Sequence, residues 1–140
     1  MEKIECREVF DISYWKIPWK YDLCAAYEYR HPAFARINTV VKTKWYEIDR
    51  DSIVISENYA WDGPSGPTLD TSNAMRGSLI HDALYQAIRS GDLQMKHRKI
   101  ADRIFRQVLK EDGMSFIRRT LWFWCVRSFG AAHARPPDSK

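Results

Sequence analysis

His81, Asp82 and Tyr85, close together in the run HDALY, and Asp102, further along in ADRIF, are the residues of this chain whose types and spacing suit chemistry. Histidine ordinarily titrates near neutrality, and a carboxylate behind the ring decides which nitrogen is free to take a proton. Gly77, Ile80, His81, Leu84, Tyr85 and Ile88 recur at helical spacing and form one inward stripe. Asp82 stands about 100° further round such a helix, where it points back toward the preceding loop. Gly77, one turn before His81, leaves room beside the imidazole. In RKIADRIFRQVLKEDG a second stripe of Ile100, Ala101, Ile104, Phe105, Val108 and Leu109 carries Asp102 at its edge. If the two helices pack antiparallel, Asp102 accepts the Nδ1 hydrogen of His81 and leaves Nε2 as a general base, with activation of water as the chemistry. The plainer readings are a core histidine satisfied by one hydrogen bond, and an Asp102 paired with Arg98 or Arg106 along its own helix.

The loop ahead of the first helix, WDGPSGP, adds a second possibility. Gly63 and Gly66 accept positive φ, and Pro64 and Pro67 stiffen the turns, so several backbone carbonyls can be held pointing inward. A hard cation such as calcium takes several such oxygens plus a carboxylate. Asp82 would supply the carboxylate, with Asp62 or Asp70 as further donors. The alternative is a tight strand-to-helix connection in which Asp62 bonds its own turn.

The elements that must position these residues follow from periodicity. Residues 5 to 60 are rich in aromatic and β-branched side chains, and REVFDISYW, LCAAYEYR, NTVVKTKWYEI and SIVISENY read as short antiparallel strands of a small sheet. From about residue 72 the pattern turns helical, with helices expected over 72–89, 97–111 and 115–129. Their stop and start signals are Thr71 or Ser72, Gly91, Gly113, Ser115 and Gly130. Strands followed by helices give an α+β class and a single domain over 1–140: a β-rich part to residue 60, the loop 61–71, a helical part 72–130 and a flexible tail 131–140. The third helix, SFIRRTLWFWCVRSFG, is apolar on most sides and reads as a core helix. Its mixture of Trp and Arg would also suit a membrane interface.

The 45% hydrophobic and 14% aromatic content is enough for one buried core, which excludes a disordered chain. A net charge of +4 favours anionic partners without naming one. Cys6, Cys24 and Cys125 are odd in number and match no metal-ligand pattern, which points to a reducing compartment and not to a disulfide framework. MEKIECREVF lacks a signal-peptide core, and no stretch approaches the roughly 18 apolar residues of a membrane span. The expectation is a soluble product of a bacterial host's cytoplasm, reaching the envelope at lysis or within a virion.

The glycine-containing loop, the HDxxY helix and the later Asp-Arg helix together resemble the secreted phospholipase A2 core. Gly63 stands eighteen residues before His81, the interval between the loop glycine and the catalytic histidine in that family. The resemblance implies calcium held by the carbonyls of Trp61, Gly63 and Ser65 and by the Asp82 carboxylate. His81 is then the base, and Tyr85 and Asp102 support it. It also implies a phospholipid or membrane-surface partner and the first two helices as a phospholipase A2-like antiparallel pair. The chain departs from those enzymes in lacking their stapling cysteines, in Ser65 for a loop glycine, in Pro64 and Pro67, and in its N-terminal sheet. A second resemblance spans nearly the whole chain: DGxSxP, HDALY, ADRIF and VRSFG in this order look like a bacteriophage and prophage family labelled only as a domain of unknown function.

Three other readings compete. A non-enzymatic phage structural or host-interaction protein would use His81, Asp82, Asp102 and Tyr85 as a buried polar network. A zinc hydrolase would draw on His81, His97 or His133. Lys96, Arg98, Lys99, Arg103 and Arg106 could present a basic face, but Asp92, Asp102, Glu111 and Asp112 interrupt it, so no nucleic-acid partner is expected.

Overall fold

The computed structural model describes residues 4–8, 21–61 and 72–137. In chain order they form β1 (Cys6–Glu8), β2 (Tyr21–Leu23), β3 (Tyr27–Arg30), α1 (Phe34–Ile37), β4 (Val41–Lys42), β5 (Tyr46–Ile48), β6 (Ser52–Ile55) and β7 (Ala60–Trp61). There follow α2 (Ser72–Arg89), a 3₁₀ turn (Met95–His97), α3 (Arg98–Glu111), α4 (Phe116–Phe129) and α5 (Ala131–Ala134). The class is α+β, with antiparallel strands followed by helices.

The β-rich half is two small sheets, in the orders β1-β2-β7 and β3-β6-β5-β4, with every pairing antiparallel. LCAAYEYR divides between them. Leu23 bonds Tyr59 and Asn58 through its backbone, and Cys24 bonds Glu5, so the chain leaves one sheet before Tyr27 begins the other. In the larger sheet, period-two alternation buries Tyr27 and Tyr29 while Glu28 and Arg30 face out. Its buried face is two cross-strand rows, Tyr27–Ile55–Tyr46 and Tyr29–Ile53–Ile48. The turn back to β7 places Asn58 at φ 68°, a left-handed position that asparagine tolerates.

Helix α2 is the centre of the molecule. Its expected stripe is buried, and so are Ala74, Leu79, Ala83 and Ala87 on other faces, because the sheets, α3 and α5 surround it. Small residues make that possible. A Cβ at Gly77 would lie 3.1 Å from Leu109 Cδ2 and 3.4 Å from Phe105, so this glycine makes room first of all for α3. Partners along α2 run backward along α3, with Gly77 against Phe105 and Leu109, His81 against Asp102 and Tyr85 against Arg98. The pair is therefore antiparallel.

The expected stops are local hydrogen-bond motifs. After α3, Gly113 takes φ 84°, its N–H bonds Lys110 and that of Met114 bonds Leu109, while Met114 and Leu109 share one apolar cluster. Gly91 (φ 83°) closes α2 in the same way, and Ser115 caps α4 by accepting the Arg118 N–H. The cap expected at Thr71 falls outside the described residues.

Two expectations about the C-terminal part are overturned. The tail expected to be flexible from residue 131 begins as α5, with Ala134 buried in the core. Helix α4 is not wrapped: Trp122 is its one buried residue, joined by Val126 against Phe105, Leu109, Met114 and Ala74. It packs on α3 and α5 by one side and turns most of its aromatic surface outward.

Candidate functional site

The centre is built where α2 crosses α3. The Asp102 side chain is fully buried and its two oxygens divide the work. Oδ1 accepts from His81 Nε2 at 2.8 Å and from the Tyr85 hydroxyl at 2.6 Å. Oδ2 accepts from Arg127 Nη1 at 2.8 Å and lies 3.6 Å from Arg98 Nη1. Burial alone would push this carboxyl up. The hydrogen bond and charge of His81, joined by the bonds from Tyr85 and Arg127, more than offset that and hold it below the ordinary aspartate range. The Tyr85 hydroxyl is shifted the other way, by burial and then by the bond to Asp102, and stays protonated as a donor.

The ring nitrogens are reversed from the sequence expectation: Nε2, and not Nδ1, faces Asp102. The reason is reach. A ring projecting from one helix toward the carboxylate of the next meets it with its outermost atom. An ionised Asp102 can only accept, so Nε2 carries a hydrogen whether or not the ring is charged, and whenever the ring is neutral its lone pair is on Nδ1. Nδ1 has no hydrogen-bond partner among the described residues. The imidazole is held between Tyr85 and Phe105, with ring centres 4.0 and 4.8 Å away, and the side chain is 9% exposed.

Asp82 is half-buried on a different side of α2. Ser78, one turn before it, accepts a hydrogen bond from the Trp61 indole at 3.1 Å, and Gln86, one turn after it, accepts from the Tyr59 hydroxyl at 2.9 Å. The Tyr59 and Trp61 side chains thus reach α2 one turn to either side of Asp82. Burial first, then the Asp82 charge, raises the Tyr59 hydroxyl. Trp61, the described member of the expected cation set, reaches α2 through its indole one turn before Asp82. Among the described residues no group of three or more His, Cys, Asp or Glu could hold a metal ion. The set implied for calcium is of another kind, one carboxylate and several main-chain oxygens, and those of Gly63 and Ser65 lie outside the described residues.

Of the two arginines on Asp102, Arg98 is the partner along its own helix that the sequence offered, and Arg127 was missed. Arg98 also donates to the Val126 and Arg127 carbonyls, so it ties the last turn of α4 to the centre. The other expected partner, Arg106, turns away, donating to Thr120 and lying over the Phe116 and Phe123 rings. With Arg98 inward and Arg106 engaged, the basic stripe of α3 is not a continuous outer face. The His97 ring accepts from the Gln94 N–H at the start of α3, and the His133 carbonyl, in α5, accepts from Arg89.

A second buried network was also missed. Arg76 donates to both oxygens of Asp112, to Glu111 at 2.9 Å and to the Tyr27 hydroxyl at 2.9 Å. Its signal lay in the register: once His81 is opposite Asp102, antiparallel packing carries Arg76 to the last turn of α3, where Glu111 and Asp112 stand.

Gly130 explains how α4 approaches so closely. Its φ is −76°, so positive φ is not the reason for glycine; a Cβ there would run into the Val126 carbonyl and sit 2.7 Å from the Tyr85 hydroxyl. Gly130→Ala is expected to cost about 1–3 kcal/mol by forcing α4 off Tyr85, read as a lower urea midpoint. An unchanged midpoint would contradict the close approach.

Fold and centre together define an α+β protein organised around an interhelical His–Asp–Tyr cluster. The chain belongs to the DUF1353 family, proteins of unknown function, whose family model matches residues 21–126. The match takes in β2 through most of α4, and so His81, Tyr85 and Asp102. Comparison with curated proteins and with solved structures gives no match.

Proposed function

We propose that the chain is a phospholipase A2-like ester hydrolase in which His81 activates water against a phospholipid ester. The observation that carries this is the bond of His81 Nε2 to a buried, ionised Asp102 that Tyr85 also holds, which leaves Nδ1 as the basic nitrogen. Nδ1 takes a proton from water, and the water oxygen bonds to the carbonyl carbon. The same proton then passes to the departing alcohol oxygen as the ester C–O bond breaks, giving a fatty acid and a lysophospholipid. Asp102 stabilises the imidazolium between these transfers. Asp82, with the carbonyls of Trp61, Gly63 and Ser65, would hold calcium, which when bound supplies polarisation of the ester carbonyl. A phage or prophage origin belongs to the same reading and rests on the resemblance alone.

The test is fatty-acid release from phospholipid vesicles with calcium and with chelator. Release that requires calcium supports the proposal, and equal background in both conditions rejects it. Calcium should also raise the melting temperature. At about a hundredfold excess over its dissociation constant the gain is about 2.7 kcal/mol, absent in Asp82→Asn. An identical melt in both proteins removes the calcium site.

One observation favours a second reading. Asp102 has partners on both oxygens and His81 is largely enclosed, as a network that only fixes helix packing would require. On that reading the chain is a non-enzymatic structural or host-interaction protein, and hydrolysis is absent under every condition.

A further inference from the structure

We infer that the outward face of α4 docks on an anionic phospholipid surface. Ile117, Leu121 and Trp124 are 80%, 48% and 61% exposed and fall at i, i+4 and i+7, one stripe on the side away from Trp122 and Val126. Phe116 and Phe129, about 100° or more round the helix from this stripe at its two ends, are also exposed, 61% and 77%. A stripe this apolar at the surface of a folded chain marks a place where something binds.

Charge decides what binds. Residues 113–137 contain Arg118, Arg119, Arg127 and Arg135 and no Asp or Glu. The whole chain carries +4 and these four arginines equal it; Arg127 turns inward onto Asp102, which leaves Arg118, Arg119 and Arg135 in the segment that exposes the apolar stripe. Guanidinium groups are held against the aromatic rim: Arg119 lies 5.2 Å and Arg106 5.8 Å from the Phe116 ring centre. Apolar side chains flanked by arginine, with tryptophan among them, match the boundary between acyl chains and phosphate headgroups. No helix among the described residues is long and apolar enough to cross a membrane, so α4 lies along the surface. A second copy of the chain would bring two positive faces together, which charge opposes.

This inference does not depend on the hydrolase reading, because binding and hydrolysis are measured separately. The full chain is mixed with vesicles of phosphatidylcholine alone or with phosphatidylglycerol added, and co-sedimentation and Trp fluorescence are followed. Binding is expected only with phosphatidylglycerol present, weakening as salt is raised. It should fall by about tenfold or more in I117N/W124N, whose exposed positions leave the fold intact by circular dichroism. No binding of wild-type protein to anionic vesicles at low salt overturns the inference, as does equal binding by the double variant. Light scattering that shows a dimer lost in the double variant also overturns it, assigning the face to a second copy.

Discussion

His81→Ala is expected to lower phospholipid hydrolysis by about 10²- to 10⁴-fold, the usual contribution of a positioned base. The size follows from how completely the ring is placed. Nε2 is bound at 2.8 Å to a buried carboxylate, and the ring faces are packed by Tyr85 and Phe105, so Nδ1 has one orientation. No neighbour can take over. The hydroxyl of Tyr85 is raised by burial and then by Asp102, and Asp102 itself is spent on four groups. The measurement is initial rate on phosphatidylglycerol vesicles, with circular dichroism confirming that the variant is folded. A rate within about threefold of wild type would remove His81 from the chemistry.

Asp102→Ala carries the largest expected effect on stability. The carboxylate is fully buried and balances Arg127 and Arg98 while holding His81 and Tyr85. Removing one member of such a network leaves buried charge uncompensated, a loss of about 3–5 kcal/mol. The urea midpoint at neutral pH should drop accordingly. A pH series checks the cause. The folded-state value of Asp102 lies below the ordinary 3.8, so its contribution is fully present above that value and is lost as pH falls through the lower, folded one. Wild type should therefore lose stability below about pH 4 more steeply than Asp102→Asn, which has no carboxyl to titrate there. Parallel curves would show that Asp102 is not the carboxylate responsible.

Much of the helical half was legible because its signals act over one or two turns. The spacing of Ile80, His81, Leu84 and Tyr85, the glycines at 91 and 113 and the Ser115 cap each act locally, and the helices end within a residue of where these place them. His81 facing Asp102 was legible on condition that the two helices pack antiparallel, since two facing stripes then leave few registers. The β half was less so. LCAAYEYR reads as one strand, yet backbone bonds from Leu23 to Tyr59 and from Cys24 to Glu5 divide it between two sheets, and those partners lie far away in sequence.

By itself, then, the sequence determined the class and the limits of the three long helices, consequences of periodicity and cap chemistry within short segments, and it offered the meeting of His81 with Asp102 only on condition that two helices pack antiparallel. Tertiary structure alone decided that Nε2 and not Nδ1 faces Asp102, that Arg127 closes the cluster, that Arg76 is buried on Asp112, and that α4 shows its aromatic side to the outside. The distance between two packed helices selects the ring nitrogen. Arginine side chains are long enough to reach either inward or outward, and an apolar stripe becomes core only where a neighbour covers it. Sequence spacing along one element contains none of that information.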